Sequence, residues 1–201
     1  MDNPKQPVYN SYQKIVQWFD EHRFKGLMER PYLNLIRAHI PPQGTILDLG
    51  CGTGEPIAKF FTDQGYIITG VDGSRGMIEL CQRRFPQANW LVADMRELHL
   101  HQQFDVILAW HSLFHLNHDD QRAMFQTFQS HIKPGGILAF TSGFEHGEEW
   151  SDNGGQNLYH ASLASEEYQN LLEKHNFNVI CHNQEDPACG DATVWVARAR
   201  E

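Results

Sequence analysis

Three glycines alternating with other residues, directly after an apolar run that contains an acid, constrain this chain more than any other feature. The stretch is Thr45-Ile46-Leu47-Asp48-Leu49-Gly50-Cys51-Gly52-Thr53-Gly54-Glu55-Pro56. Ile46, Leu47 and Leu49 predict a buried strand. The glycines let the backbone turn tightly and approach a ligand with no Cβ in the way. Glu55 and Pro56 suit the first turn of a helix, where the donor that proline lacks would be orphaned anyway. Free N–H groups at that helix start would then point into the loop. Strand, glycine loop and helix form the first unit of a nucleotide-binding α/β sheet.

The chain around this unit alternates in the same way. Residues 1–10 are polar and predict a loose arm. From Ser11 a helical face runs through Tyr12, Ile15, Val16 and Phe19. A second helix opens at Pro31 and closes at Pro41-Pro42-Gln43-Gly44. Helix is predicted over 55–64, strand over 66–71 ending at Asp72, and helix over 74–85 with Ser74 as N-cap. Strand follows over 89–93 ending at Asp94, strand over 104–110, and helix over 119–132, ended by Lys133-Pro134-Gly135-Gly136. A strand over 137–141 precedes an irregular stretch, 142–164. A capped helix over 165–175 leads to strands over 177–181 and 193–197, joined by a long connection. Helices of this length between strands predict a Rossmann-like, doubly wound, mainly parallel sheet of seven strands. The last two strands have no helix between them and form an antiparallel C-terminal edge. Residues 1–44 read as an N-terminal helical arm or lid, and 45–201 as one globular unit.

Composition narrows the function. The formal net charge of −9 argues against a nucleic-acid backbone as partner, since that needs a concentrated basic face. No apolar run reaches membrane-span length, and the first residues carry no apolar signal region. The four cysteines form no CxxC pair, so reduced thiols in a cytoplasm are the simple reading. The missing Gly-Lys-Ser/Thr excludes a P-loop, and G-x-G-x-G departs from the G-x-G-x-x-G of nicotinamide dehydrogenases.

Four motifs in order resemble those of class I S-adenosylmethionine-dependent methyltransferases. They are Leu47-Asp48-Leu49-Gly50-Cys51-Gly52-Thr53-Gly54, Gly70-Val71-Asp72-Gly73-Ser74, Ala93-Asp94-Met95, and Phe104-Asp105-Val106-Ile107 followed by Lys133-Pro134-Gly135-Gly136. The resemblance spans about 45–197 and implies S-adenosylmethionine as cofactor, with S-adenosylhomocysteine as product. It implies that Gly50, Gly52 and Gly54 cradle the methionine part while Asp48 helps hold its ammonium. Cys51 would be a small packing residue of that loop. Asp72 would accept from both ribose hydroxyls and Asp94 from the adenine amino group. The Met95 backbone would donate to the ring, Gly73 and Met77 would flank it, and Trp110 would close the site near the sulfonium. Such ligands sit outside the carboxyl ends of the strands, where Asp48, Asp72, Asp94 and Trp110 all fall.

The remaining candidates have ordinary readings beside functional ones. His111, His115 and His118 follow the fourth strand at spacings of four and three. That could place a metal, yet no acid or cysteine completes a set, so no metal is expected. His111 and His115 are candidate general bases on the acceptor side. Of Tyr12, Trp18, His22 and Arg23 in the N-terminal helices, some would lid the cofactor, and Trp18 is the one placed in the site. The Asn/Asp-Pro-Pro-aromatic signature of amino-directed nucleic-acid methyltransferases is absent after the fourth strand. The expected function is therefore in-line methyl transfer to a small-molecule acceptor by a monomer or homodimer. The alternative is a catalytically silent S-adenosylmethionine-binding module.

Overall fold

The structure, a computed structural model, describes residues 7–201. Three short helices come first: α1 (Tyr9–Lys14), α2 (Val16–His22) and α3 (Arg30–Arg37). Then follow β1 (Thr45–Leu49), α4 (Ile57–Thr62), β2 (Ile67–Asp72), α5 (Arg75–Arg84), β3 (Asn89–Val92) and β4 (Phe104–Ala109). The second half holds α6 (His118–His131), β5 (Ile132–Ser142), β6 (Gly147–Asn153), β7 (Gln156–Ser162), α7 (Ser165–Lys174), β8 (Phe177–Asp186) and β9 (Ala192–Ala199). Seven strands form one sheet in the order β3-β2-β1-β4-β5-β9-β8. Its first four pairings are parallel, and β9 pairs antiparallel with both β5 and β8. This is the expected Rossmann-like sheet with an antiparallel C-terminal end.

Alternation along each strand explains why the sheet is covered on both faces. Ile46, Val106, Leu108, Ile137, Ala139, Val194 and Val196 face one core, filled by Leu33 and Ile36 of α3, Phe61 of α4 and Cys81 of α5. Leu47, Ile107, Leu138, Phe140 and Trp195 face the other, filled by Met124, Phe125 and Phe128 of α6 and by Tyr168 and Leu172 of α7. The α6 residues at 121, 124, 125 and 128 are buried at helical spacing, which is what docks that helix. α3 thus belongs to the core, whereas α1 and α2 lie over the carboxyl ends of the strands.

Several elements differ from the sequence reading. The arm expected over 1–10 falls partly outside the described residues, and from Tyr9 the chain is already helical. The single helix from Ser11 breaks at Ile15, whose φ is −115°. α4 begins only at Ile57, with Pro56 at its N-cap after a cis Glu55-Pro56 bond. Lys133-Pro134-Gly135-Gly136 is not a break after α6, because β5 already starts at Ile132. α7 is capped by Ala164 with no side-chain bond, since the Ser165 hydroxyl donates instead to Phe144 O. The long connection before β9 is shortened by β8, which runs on to Asp186. The largest difference is the stretch expected to be irregular, which contains the antiparallel hairpin β6–β7. Asn153 pairs with Gln156 across a two-residue loop, Gly154-Gly155, in which φ is +59° and +77°. Only glycine enters that conformation freely at both positions. Among the described residues no helix is long and apolar enough to cross a membrane.

Candidate functional site

The strand ends, α1, α2 and the hairpin enclose one cavity of about 290 Å³. Its floor is the glycine loop. Gly50, Gly52 and Gly54 all have positive φ, from +53° to +79°. A Cβ on Gly50 would lie 2.3 Å from the Ser112 Cβ, because Ser112 is drawn in by donating to Leu49 O at 2.6 Å. The loop can therefore press directly against the segment that follows β4.

Two acids stand at this floor. Asp72 ends β2; its Oδ2 accepts from Gly52 N at 3.0 Å and its Oδ1 from Ser74 N at 2.8 Å. It thereby holds the loop in shape while keeping a lone pair on each oxygen. Burial raises its pKa to about 6 against the pull of those two backbone donors. Burial and the neighbouring Asp72 charge push Asp48 up to about 7. Asp48, buried beside no such donor, suits a ligand's ammonium, and Asp72, with a lone pair left on each oxygen, suits its hydroxyls. Trp110 and Thr53 also line the cavity, and their Nε1 and Oγ1 atoms are buried without a partner.

The other end differs from the expectation. Asp94 lines the cavity, but its Oδ1 accepts from Arg96 N and Nε, and its Oδ2 from Arg96 Nε at 3.1 Å. Arg96 also reaches Asp120 at 2.8 Å. The ion pair and its hydrogen bonds hold Asp94 below the usual carboxylate range despite burial. Gly73, Met77 and Met95 line the same end, and Tyr9 packs onto Gly73 so closely that a Cβ there would meet the ring at 2.2 Å.

Around the wall runs a row of rings. Trp110, His111, Phe114, His160, His115, Tyr12 and Phe19 follow one another with centroid spacings from 4.6 to 6.2 Å. Arg23 closes the row, its guanidinium 5.9 Å from the Phe19 centroid and 3.6 Å from buried Glu29. Burial, reinforced by the Arg23 charge, lowers His111 to about 4, so its ring is neutral near pH 7.

The structure thus brings Asp48, Gly50, Cys51, Gly52, Gly54, Asp72, Gly73, Met77, Asp94, Met95, Trp110, His111 and His115 to one cavity. Trp18 is the exception and requires a correction. It stacks on His22 with centroids 4.6 Å apart, against Gly154 of the hairpin, and is not in the lining. From the same helices Tyr9, Tyr12, Phe19 and Arg23 take the places facing the cavity. His118 leaves the other two histidines, because His111 has φ +50° and a 3₁₀ turn over Leu113–His115 intervenes. Its Nε2 instead meets Ser162 O at 3.1 Å. Asn153 and His160 reach the site from the hairpin, for which no element was predicted.

A Rossmann-like α/β domain with its cavity at the switch point between β1 and β4 is the class this fold and site define. A family of methyltransferase domains matches residues 46–136. Putative methyltransferase YqeM of Bacillus subtilis is 36% identical over 152 residues, covering 71% of this chain and 60% of that protein. A dTDP-4-amino-2,3,4,6-tetradeoxy-D-glucose N,N-dimethyltransferase of Saccharopolyspora spinosa is 30% identical over 107 residues, 52% of this chain and 43% of that one. The chain spans about half the length of such curated relatives. Among solved structures, Burkholderia thailandensis 1,6-didemethyltoxoflavin-N1-methyltransferase superimposes with a TM-score of 0.73. It is 21% identical, and the match covers 100% of this chain and 94% of that one. Residues 46–136 thus match a methyltransferase domain, and the chain as a whole is similar to class I S-adenosylmethionine-dependent methyltransferases in fold.

Proposed function

We propose that this protein binds S-adenosylmethionine in the cavity above the glycine loop and transfers its methyl group to a small-molecule acceptor. The observation that carries the reading is the Asp72–glycine loop unit, in which a buried carboxylate shapes the loop and keeps lone pairs for two hydroxyls. The orphaned Trp110 Nε1 and Thr53 Oγ1 and the donor-poor Asp48 fit an amino-acid end that carries both charges. When bound, the cofactor supplies a methyl group already activated on a sulfonium, so the protein contributes alignment and dryness rather than covalent help. Trp110 and Phe19 would offer ring faces to that positive charge. Met77 and Gly73 would flank the adenine, and Asp94 could accept its amino group only while sharing its oxygens with Arg96. α1, α2 and the hairpin would wall off the acceptor. Small-molecule relatives such as the amino-sugar dimethyltransferase support a small acceptor.

Calorimetric titration with S-adenosylhomocysteine tests this. Wild type should bind at micromolar strength. Asp72→Ala, checked for folding by circular dichroism, should bind at least about 100-fold more weakly, the loss of two hydrogen bonds to a charged group. A folded wild type that binds nothing would sink the proposal. Release of S-adenosylhomocysteine in an acceptor screen then measures transfer itself.

A further inference from the structure

His115 has both ring nitrogens committed. Its Nδ1 lies 2.9 Å from Tyr159 O, and a carbonyl only accepts, so Nδ1 carries the proton. Burial, with His160 beside it, lowers the ring to about 3, against the pull of the Tyr159 carbonyl, so it stays neutral. The other nitrogen, Nε2, is then an acceptor, and the Tyr12 hydroxyl 2.9 Å away must be its donor. The rings packed around His115 are those of Tyr12, Phe114 and His160, with His111 near enough to be felt. Asp72 and Arg23 are the charges whose fields reach Tyr12. Among the described residues nothing else bonds to the Tyr12 hydroxyl, and Tyr12 lines the cavity. Its oxygen therefore presents lone pairs, not a proton, to whatever the cavity holds.

We propose that the methyl acceptor donates a hydrogen bond to the Tyr12 oxygen, and is therefore an uncharged N–H or O–H nucleophile, while His115 is a positioning residue that fixes this hydroxyl. The inference rests on the methyl-transfer reading above. A carboxylate acceptor would bring its own lone pairs against those of the phenol, and an ammonium has no lone pair with which to attack. The acceptor lone pair forms the bond to the methyl carbon, the carbon–sulfur bond breaks with its electron pair going to sulfur, and the acceptor proton departs to bulk water. Neither His115 nor Tyr12 takes it up, because the imidazolium and the phenolate are both disfavoured by burial.

The test uses protein saturated with S-adenosylhomocysteine and two probes of similar shape, aniline and benzoate, titrated by NMR near pH 7.5. Aniline should bind at least about fivefold more tightly than benzoate. Tyr12→Phe should cut aniline affinity about fivefold to tenfold, one hydrogen bond's worth, a larger loss than it causes in S-adenosylhomocysteine affinity. His115→Gln, whose amide oxygen can stand in for Nε2, should retain aniline binding, and His115→Phe should lose it. Imidazole ¹⁵N shifts should show His115 as the neutral Nδ1–H tautomer throughout pH 5–8. Preference for benzoate, no binding of aniline, no effect of Tyr12→Phe, or a His115 titration near the usual histidine value would each overturn the inference. Failure of wild type to bind S-adenosylhomocysteine at all would instead bring down the reading on which it rests.

Discussion

Asp48 and Asp72 make the ligand-free protein sensitive to pH in an unusual direction. Their native values, about 7 and about 6, lie above the value near 3.9 of a free aspartate. The native state thus keeps protons that the unfolded chain releases. The stabilisation this brings is complete below about pH 4 and is lost as the pH rises through about 6 to 7. At about 1.4 kcal/mol per pKa unit the pair is worth on the order of several kcal/mol. Thermal melts of ligand-free protein should therefore fall in Tm between about pH 4 and 7, and Asp48→Asn should flatten that slope. An unchanged slope in the variant would assign the pH effect to other groups. Ligand donors reverse the preference, so the gain in Tm on adding S-adenosylhomocysteine should grow over the same range. At this scale the glycine loop and Asp72 were legible because their roles come from local backbone geometry. Tyr12 was half legible: of the helical face Tyr12–Ile15–Val16–Phe19, Tyr12 and Phe19 line the cavity, whereas Val16 turns to Gly76 past the break at Ile15. The Tyr12–His115 bond spans 103 residues of chain and leaves no local pattern to read.

The cover of the site is made of elements that the sequence showed less clearly. α1 and α2 have six and seven residues and none of them is fully buried, so periodicity could place them but not say where they dock. An ion network fastens α2. Arg84 of α5 grips both oxygens of Asp20, at 2.7 and 2.5 Å, and Lys25 bridges Asp20 and Glu55 beside the glycine loop. These pairs are partly exposed, so Arg84→Met should cost only about 1 kcal/mol of stability. The larger effect should be faster release of S-adenosylhomocysteine, severalfold by stopped flow, with the difference from wild type shrinking at high salt. Equal release rates at low salt would show that α2 does not hold the ligand in. The hairpin was readable in retrospect from Asn153-Gly154-Gly155, a two-residue hairpin signal. Its strand Gly147–Asn153 is largely exposed and acidic, so no alternation marked it as β.

At the scale of the whole molecule, alternation along β1, β4, β5 and β9 divides the apolar residues between two cores; that the sheet is covered on both faces was legible from the order of strands and helices. Phe128 is fully buried in the core on the α6 side. Phe128→Ala should cost about 3–5 kcal/mol and lower Tm by roughly 10 °C for a domain of this size. A loss under about 1 kcal/mol by chemical denaturation would mean that this core repacks around the gap. What periodicity could not supply was strand order at the C-terminal end. The position of β9, between β5 and β8, has a consequence for how the protein comes into being. On the ribosome β8 emerges before β9 yet has no neighbour until β9 is laid down. Until then β5, buried from Gly136 to Ser142 in the finished sheet, presents an open edge carrying Leu138 and Phe140. The nascent chain is therefore most exposed to mispairing with another chain until β9 emerges and takes its place.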